Sequence, residues 1–120
     1  MRYMLLIYGD EDALAAAERD ACYQESTHLA HALSGEGHFL ATAPLHPTTT
    51  ATSVQVREGR RVVTDGPFAE TREQLGGYFL IEAANLDEAI AIAARIPGAK
   101  WGTVEVRPVL ELPNLPPQQA

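Results

Sequence analysis

Apolar and polar positions follow two different periods along this chain, and together they predict an alternation of strands and helices. Short apolar runs and strict apolar–polar alternation are typical of strands, whereas apolar residues spaced three and four apart are typical of helices. The elements predicted in this way are, in chain order, a strand at 3–8, a helix at 11–34, a strand at 38–45, a hairpin at 53–57 and 60–64, a strand at 77–83, a helix at 86–96 and a strand at 103–109.

Residues at the helix ends support these bounds. Gly35 and Gly37 follow the first helix, where a glycine stop is common. Asn85 precedes the second helix as an N-cap, and Asp87 and Glu88 lie in its first turn, where negative charge is favourable. The residues predicted to share the packed face are Ala15, Cys22, Ser26, Leu29 and Leu33 in the first helix and Leu86, Ala89, Ile90, Ala93 and Ile96 in the second.

The order of the elements predicts an α+β fold, a ferredoxin-like sandwich with an inserted β-hairpin. Two β-α-β units with right-handed crossovers place both helices on one face of a mostly antiparallel sheet. The strands at 3–8 and 78–83 are nevertheless apolar on both faces. Because a sheet face without helices needs another cover, we expect a homodimer with a cavity between or beside the facing sheets.

Composition and charge narrow the class of protein. The chain has 120 residues, which suits one domain, and a formal net charge of −7, which argues against nucleic acid or an anionic membrane as the main partner. Cys22 is the single cysteine, so no disulfide framework is expected. The first apolar run is too short for a secretory signal and nothing approaches a membrane span, which favours a cytoplasmic protein.

The segment after the hairpin combines turn formers with acids and an aromatic residue: it reads TDGPFAETREQLGGYF from Thr64 to Phe79. We expect Phe68 to anchor a rigid loop in the core, and Gly76 and Gly77 to allow a positive φ where the loop enters its strand. Thr71 and Gln74 resemble a capping box, which would begin a short helix and explain the neighbouring acids, Glu70 and Glu73.

The stretch DGPFAETREQLGGYFLIE, preceded by VVT and followed by NLDEAIAIAARIPGA and VEVRPV, resembles the DGPF-motif branch of the YCII-related proteins. The opening RYMLLIYGDE fits the same family, so that the resemblance extends from about Met1 to Val109. It implies a YCII-related domain at 1–110 that forms a dimeric α+β barrel, followed by a Pro-rich tail at 111–120. The class has no single established reaction, and some DGPF relatives are encoded beside extracytoplasmic-function sigma factors, which implies a possible regulatory link.

The resemblance also suggests candidate catalytic residues, because a histidine and an aspartate in a cleft have been suggested as catalytic in YCII-like members. His28, in THLAHAL, matches the histidine of their long first helix. Their acidic partner follows that helix, but here Ser34–Gly37 contains no aspartate. We infer that Asp65, in the DGPF motif, supplies that carboxylate instead.

Each candidate has a functional and a structural interpretation. Asp65 is either a general acid–base group, with Glu70 as its partner, or a turn residue bonded to its own backbone. His28 is either a proton shuttle or a half-exposed helix residue. Arg107, opposite in direction to Val104 and Val106, either binds an anionic ligand or forms an interface ion pair.

Tyr78 and Phe68 are predicted to contact substrate alongside Arg107. His28 and His31 have a spacing that can bind metal, but no carboxylate or thiolate set accompanies them, so we predict neither a metal site nor a bound cofactor. Three hypotheses remain open: an enzyme acting on a small organic molecule, a non-catalytic binder of such a molecule, and an interaction module whose acidic face meets a basic partner.

Overall fold

The structure is a computed structural model that describes residues 1–117. The last three residues of the predicted tail, 118–120, lie outside the described part. The strands are β1 (Arg2–Gly9), β2 (Phe39–Pro44), β3 (Thr52–Arg57), β4 (Arg60–Asp65), β5 (Gln74–Glu82) and β6 (Thr103–Pro108). The helices are α1 (Ala16–Gly35) and α2 (Leu86–Ala93), and short 3-10 turns occupy Thr48–Thr50 and Pro97–Lys100.

Four strands form one antiparallel sheet in the order β2-β5-β1-β6. Both helices pack against one face of this sheet, so the fold is α+β and fits the predicted ferredoxin-like arrangement. β3 and β4 pair with each other in a second, two-stranded sheet, with Thr52 opposite Asp65 and Arg57 opposite Arg60.

The core lies between the helices and the sheet. Alternate residues of β1 and β5 point into it, as expected for strands with one face against helices. Its largest fully buried side chains are Leu5, Leu33, Phe79, Ile81 and Ile96. Val104 and Val106 pack against this cluster from β6, as the alternation of that strand predicts.

α1 begins five residues later than predicted, at Ala16. The residues before it form a turn around Asp10, whose Oδ1 accepts the N–H of Asp12 at 2.9 Å and whose carbonyl accepts the N–H of Ala13 at 3.1 Å. Local bonds of this kind compete with helix formation. Leu29 and Leu33 are buried as predicted, whereas Cys22 is only half-buried.

α2 begins as the sequence predicts. Asn85 Oδ1 accepts the N–H of Glu88 at 2.9 Å, and Glu88 Oε1 accepts the N–H of Ala84 at 2.8 Å. The predicted packing face is only partly right, because Leu86 and Ile90 are exposed and Ile92 is buried instead. A helix this short and this apolar does not define its own inner face; the sheet beneath it does.

Gly77 has a different role from the predicted one. Neither Gly76 nor Gly77 has a positive φ. Instead β2 lies so close to Gly77 that an added Cβ would stand 2.9 Å from the carbonyl oxygen of Ala43 and 3.2 Å from the Cα of Pro44. Gly77 therefore permits a close approach of two strands and not a turn.

Candidate functional site

The face of the four-stranded sheet opposite the helices carries apolar side chains that are only partly buried. Both helices lie on the other face, against Leu5, Phe79 and Ile81. We call the uncovered side the open face, and its side chains are Met4, Leu6, Tyr8, Leu75, Tyr78, Leu80, Glu105 and Arg107.

Strand register brings the predicted ligand-contacting residues Tyr78 and Arg107 onto this same face. Leu6 pairs with Tyr78 on β5 and with Glu105 on β6, while Met4 pairs with Arg107. With neighbouring strands ~4.8 Å apart and a rise of ~3.4 Å per residue, the backbones of Tyr78 and Arg107 lie about 12 Å from each other, two strands and two residues apart across β1. Arg107 is exposed and, within residues 1–117, its guanidinium forms no ion pair or hydrogen bond.

Asp65 ends β4, and its carboxylate is exposed. The structural alternative, a bond from Asp65 to its own backbone, is not formed among the described residues, and the turn is held by Gly66. Gly66 has a φ of 101°, donates its N–H to the carbonyl of Ala51 at 2.7 Å and accepts the hydroxyl of Ser53 at 2.7 Å. The backbone at Asp65 is thus fixed while its carboxylate is left available.

The prediction that Phe68 anchors the loop in the core is wrong for the single chain, since 87% of Phe68 is exposed. The loop follows the hairpin and lies outside the helix–sheet core, so no apolar layer of the same chain covers it. Glu70 is also exposed, and its carboxylate has no partner in residues 1–117. Asp65, Phe68 and Glu70 therefore all lie on a segment that projects from the core.

The predicted capping box at Thr71 is also wrong, because β5 already begins at Gln74. Thr71 donates its hydroxyl to the carbonyl of Glu73, and Gln74 Nε2 donates to the carbonyl of Thr71 at 2.6 Å. Gln74 Oε1 accepts the N–H of Glu11 at 3.0 Å. These bonds close a turn beside the end of β1 and not a helix.

Glu11 is a positioning residue that the sequence did not reveal. Its carboxylate accepts the backbone N–H of Thr48 at 2.9 Å and the hydroxyl of the same residue. Leu45 donates its N–H to the carbonyl of Gly76 at 2.8 Å nearby. Together these bonds fix the segment between β2 and β3, from which the hairpin starts, to the end of the large sheet.

His28 lies apart from this group. It is exposed on α1, on the helix side of the sheet, whereas Tyr78 and Arg107 lie on the open face. Its imidazole has no hydrogen bond or ion pair in residues 1–117. The pairing of His28 with Asp65 stays a prediction. Across the same residues, no group of three or more His, Cys, Asp or Glu side chains could hold a metal ion.

Two ionisable features lie away from the open face. Glu36 and Arg95 form a bidentate pair at 2.8 and 2.9 Å, and this hydrogen bonding lowers the pKa of Glu36 and raises the pKa of Arg95. Burial, with the nearby charges of Glu25 and Glu18, raises the pKa of Cys22 and disfavours its thiolate. A thiol whose thiolate is disfavoured in this way is not typical of a nucleophile.

Two concavities of the single chain lie away from the predicted site residues. A pocket of about 370 Å³ is lined by Met1, Arg2, Val109 and Glu111, and a second of about 270 Å³ lies beside it, against the tail. Neither contains a predicted catalytic or ligand-contacting residue. Of the helices in the described part of the chain, none has the length and apolar character needed to cross a membrane.

Comparison with known proteins shows the family of the chain. The family model of the YCII-related domain matches residues 1–113. An uncharacterized protein from Rhizobium meliloti is 37% identical over 114 residues, which cover 91% of this chain and 92% of that protein. The match spans the whole α+β fold together with the hairpin and the loop after it, and the chain belongs to the YCII-related family.

Proposed function

We propose that the protein binds a small organic molecule in a cleft that forms when the open faces of two copies meet, and that its carboxylates act on this molecule as acid and base. The observation that supports the proposal is the open face itself. Met4, Leu6, Tyr8, Tyr78 and Leu80 remain only partly buried on one side of a central pair of strands. A contiguous apolar face of this kind is typical of an interface or a ligand site.

Arg107 suggests the chemistry of the ligand. Arg107 places a positive charge on the open face of a chain whose net charge is −7, and its guanidinium has no carboxylate partner among residues 1–117. Glu105 lies on the same face two residues earlier and forms no ion pair with it. A guanidinium presents a planar fork that fits a carboxylate or phosphate. The proposed ligand therefore has an apolar or aromatic body and one anionic group.

Asp65 is the proposed proton-transfer group. The bonds of Gly66 to Ala51 and Ser53 hold its backbone, while its carboxylate has no partner in the described chain. Glu70 follows in the same projecting loop and supplies a second carboxylate. His28 has no role in this proposal, because α1 lies behind the sheet.

The first experiment is native mass spectrometry of untagged protein purified gently from the cells that make it. The proposal expects a dimer that carries an added mass of a small molecule, whose identity then follows from fragmentation. A chain that is monomeric and free of added mass at every concentration would contradict the proposal.

The contact between Arg107 and the ligand can be tested on purified wild-type and variant protein with the anionic fluorescent dye 1-anilinonaphthalene-8-sulfonate. Arg107→Gln should weaken dye binding roughly 10- to 100-fold, the value of a charge-assisted hydrogen bond of about 1.5–3 kcal/mol. Lys100→Gln removes the same charge from an exposed position outside the open face and should leave binding unchanged. Equal effects of the two substitutions would show that only net charge matters.

Asp65→Asn separates catalysis from binding, because it keeps the size of the side chain and removes its basicity. With the native ligand identified, its conversion can be followed by NMR. Retained binding with lost conversion supports the acid–base role, whereas unchanged conversion would exclude it. If the wild-type protein binds the molecule without converting it, only the binding half of the proposal stands.

A further inference from the structure

The hairpin β3–β4 has an exposed apolar face of its own. Its register pairs Val54 with Val63 and Val56 with Arg61, so these side chains share one side of the two-stranded sheet. Val54 is 59% exposed, Val56 is 64% exposed and Val63 is 54% exposed. Such a row of valines is unusual on a surface that meets only water.

The hairpin also lacks support within its own chain. β3 and β4 make their main contacts with each other, and an isolated two-stranded sheet is at best marginally stable in water. The radius of gyration of the chain is 16.1 Å. A compact domain of this length would have about 14 Å. The chain is thus more extended than a compact domain of its length.

Charge indicates what the hairpin meets. Arg57, Arg60 and Arg61 lie at or near its tip, and they are three of the nine lysines and arginines of the chain. None of the three forms an ion pair with a carboxylate of residues 1–117. The remainder of the chain is strongly acidic, so a second copy offers the complementary surface.

Exposed apolar side chains connect the hairpin to the open face. Leu75 pairs with Tyr8 at the end of that face, and the segment at Leu45 is bonded to Gly76 beside it. Leu45, Leu75 and Phe68 are all exposed. Exposed apolar residues therefore occur in both segments that join the hairpin to the large sheet.

We propose that β3–β4 is an arm that packs its valine face on a second copy of this chain and carries Asp65 and Phe68 to the edge of the partner's open face. Three observations on the hairpin carry the proposed packing of the arm: its exposed valines, its few contacts with the rest of the chain, and its arginines without carboxylate partners in residues 1–117. The delivery of Asp65 and Phe68 to a ligand rests on the proposed function. The cleft is then composite, since each half of it is completed by residues of the other chain.

Photocrosslinking tests where the arm packs. The photoreactive analogue p-benzoylphenylalanine replaces Val56 in one sample and Gln55 in another; both positions are exposed but point to opposite faces of the hairpin. In a mixture of ¹⁴N- and ¹⁵N-labelled chains, we expect mixed-isotope crosslinks from position 56 and few from position 55. Crosslinks confined to one chain, or equal yields from both positions, would overturn the proposal.

Sedimentation velocity provides a second, energetic test. Val54→Lys with Val56→Lys should weaken the dimer at least about tenfold, because a two-fold interface counts each substitution twice. The matched control, Gln55→Lys with Thr64→Lys, adds the same charge on the opposite face and should leave the dimer intact. Equal weakening by both pairs would contradict a role for the valine face.

The two proposals fail in different ways. A dimer that retains its small molecule but shows no interchain crosslink from position 56 refutes the arm and leaves the proposed function standing. A crosslinked dimer that binds neither dye nor native ligand refutes the proposed function and leaves the packing of the arm standing.

Discussion

Gly77→Ala compared with Gly76→Ala is the sharpest test of how the sheet is packed. The two glycines are neighbours in β5, and neither has a positive φ, so backbone strain does not separate them. The two positions differ in the space available for a Cβ atom. A Cβ on Gly77 would lie 2.9 Å from the carbonyl oxygen of Ala43, whereas a Cβ on Gly76 would meet nothing closer than the carbonyl oxygen of Ile7 at 3.8 Å.

The magnitude follows from which atoms must move. The obstacles to Gly77→Ala are backbone atoms of β2, so relief requires the two strands to separate, and overpacking of this kind costs about 1–3 kcal/mol. Gly76→Ala meets ordinary contacts and restricts the unfolded chain, which favours folding by about 0.4–1 kcal/mol where the conformation is compatible. The pair should therefore differ by roughly 1.5–4 kcal/mol in the free energy of unfolding.

Urea unfolding followed by circular dichroism, at one fixed protein concentration, measures this difference. With a slope of about 1–3 kcal/mol per molar urea, the midpoint of Gly77→Ala should lie about 0.5 M or more below that of Gly76→Ala. The fixed concentration matters because association adds to apparent stability. Equal midpoints, or a neutral Gly77→Ala, would refute the idea that close approach of β2 explains this glycine.

Three further predictions concern single side chains. Asn85→Ala should lower the free energy of unfolding by about 1 kcal/mol, because the cap of α2 is lost, and an unchanged urea midpoint would contradict this. Glu36→Gln should lower the thermal midpoint slightly at neutral pH but not in acid: Arg95 lowers the pKa of Glu36 in the folded chain, so the stabilisation is present above the unfolded pKa and disappears as pH falls through the folded one. A difference that persists in acid would exclude this cause. Cys22 should react with iodoacetamide at neutral pH more slowly than the same cysteine in urea-unfolded chain, because burial raises its pKa; equal rates would refute it.

The features that the sequence predicted correctly depend on neighbours in the chain. Asn85 caps α2 because its side-chain oxygen reaches the N–H of Glu88, three residues later in the chain, as an N-cap residue commonly does. The opposite directions of Val106 and Arg107 follow from the period of a strand. The placement of both helices on one face of an antiparallel sheet follows from the order of the elements along the chain.

The features that were missed depend on distant contacts. Glu11 was assigned to a helix, but its carboxylate bonds Thr48 across 37 positions of sequence. Phe68 was expected in the core because of its type, yet burial depends on which layers come near, and none of this chain does. Gln74 belongs to a strand because β1 pairs with it, a fact that no local motif contains.

The hydrogen bond between Gly66 and Ala51 brings the two ends of the hairpin together. When the two ends of a segment lie close together, the segment can be lengthened, shortened or exchanged with little loss of stability, because the entropy of loop closure changes slowly with length. Changes in the length of the segment 52–65 should therefore leave the four-stranded sheet intact. Selection at those positions acts on the surface that the hairpin contacts. Sequence variation among YCII-related proteins in this short segment should therefore tell more about the binding partner than variation in the core.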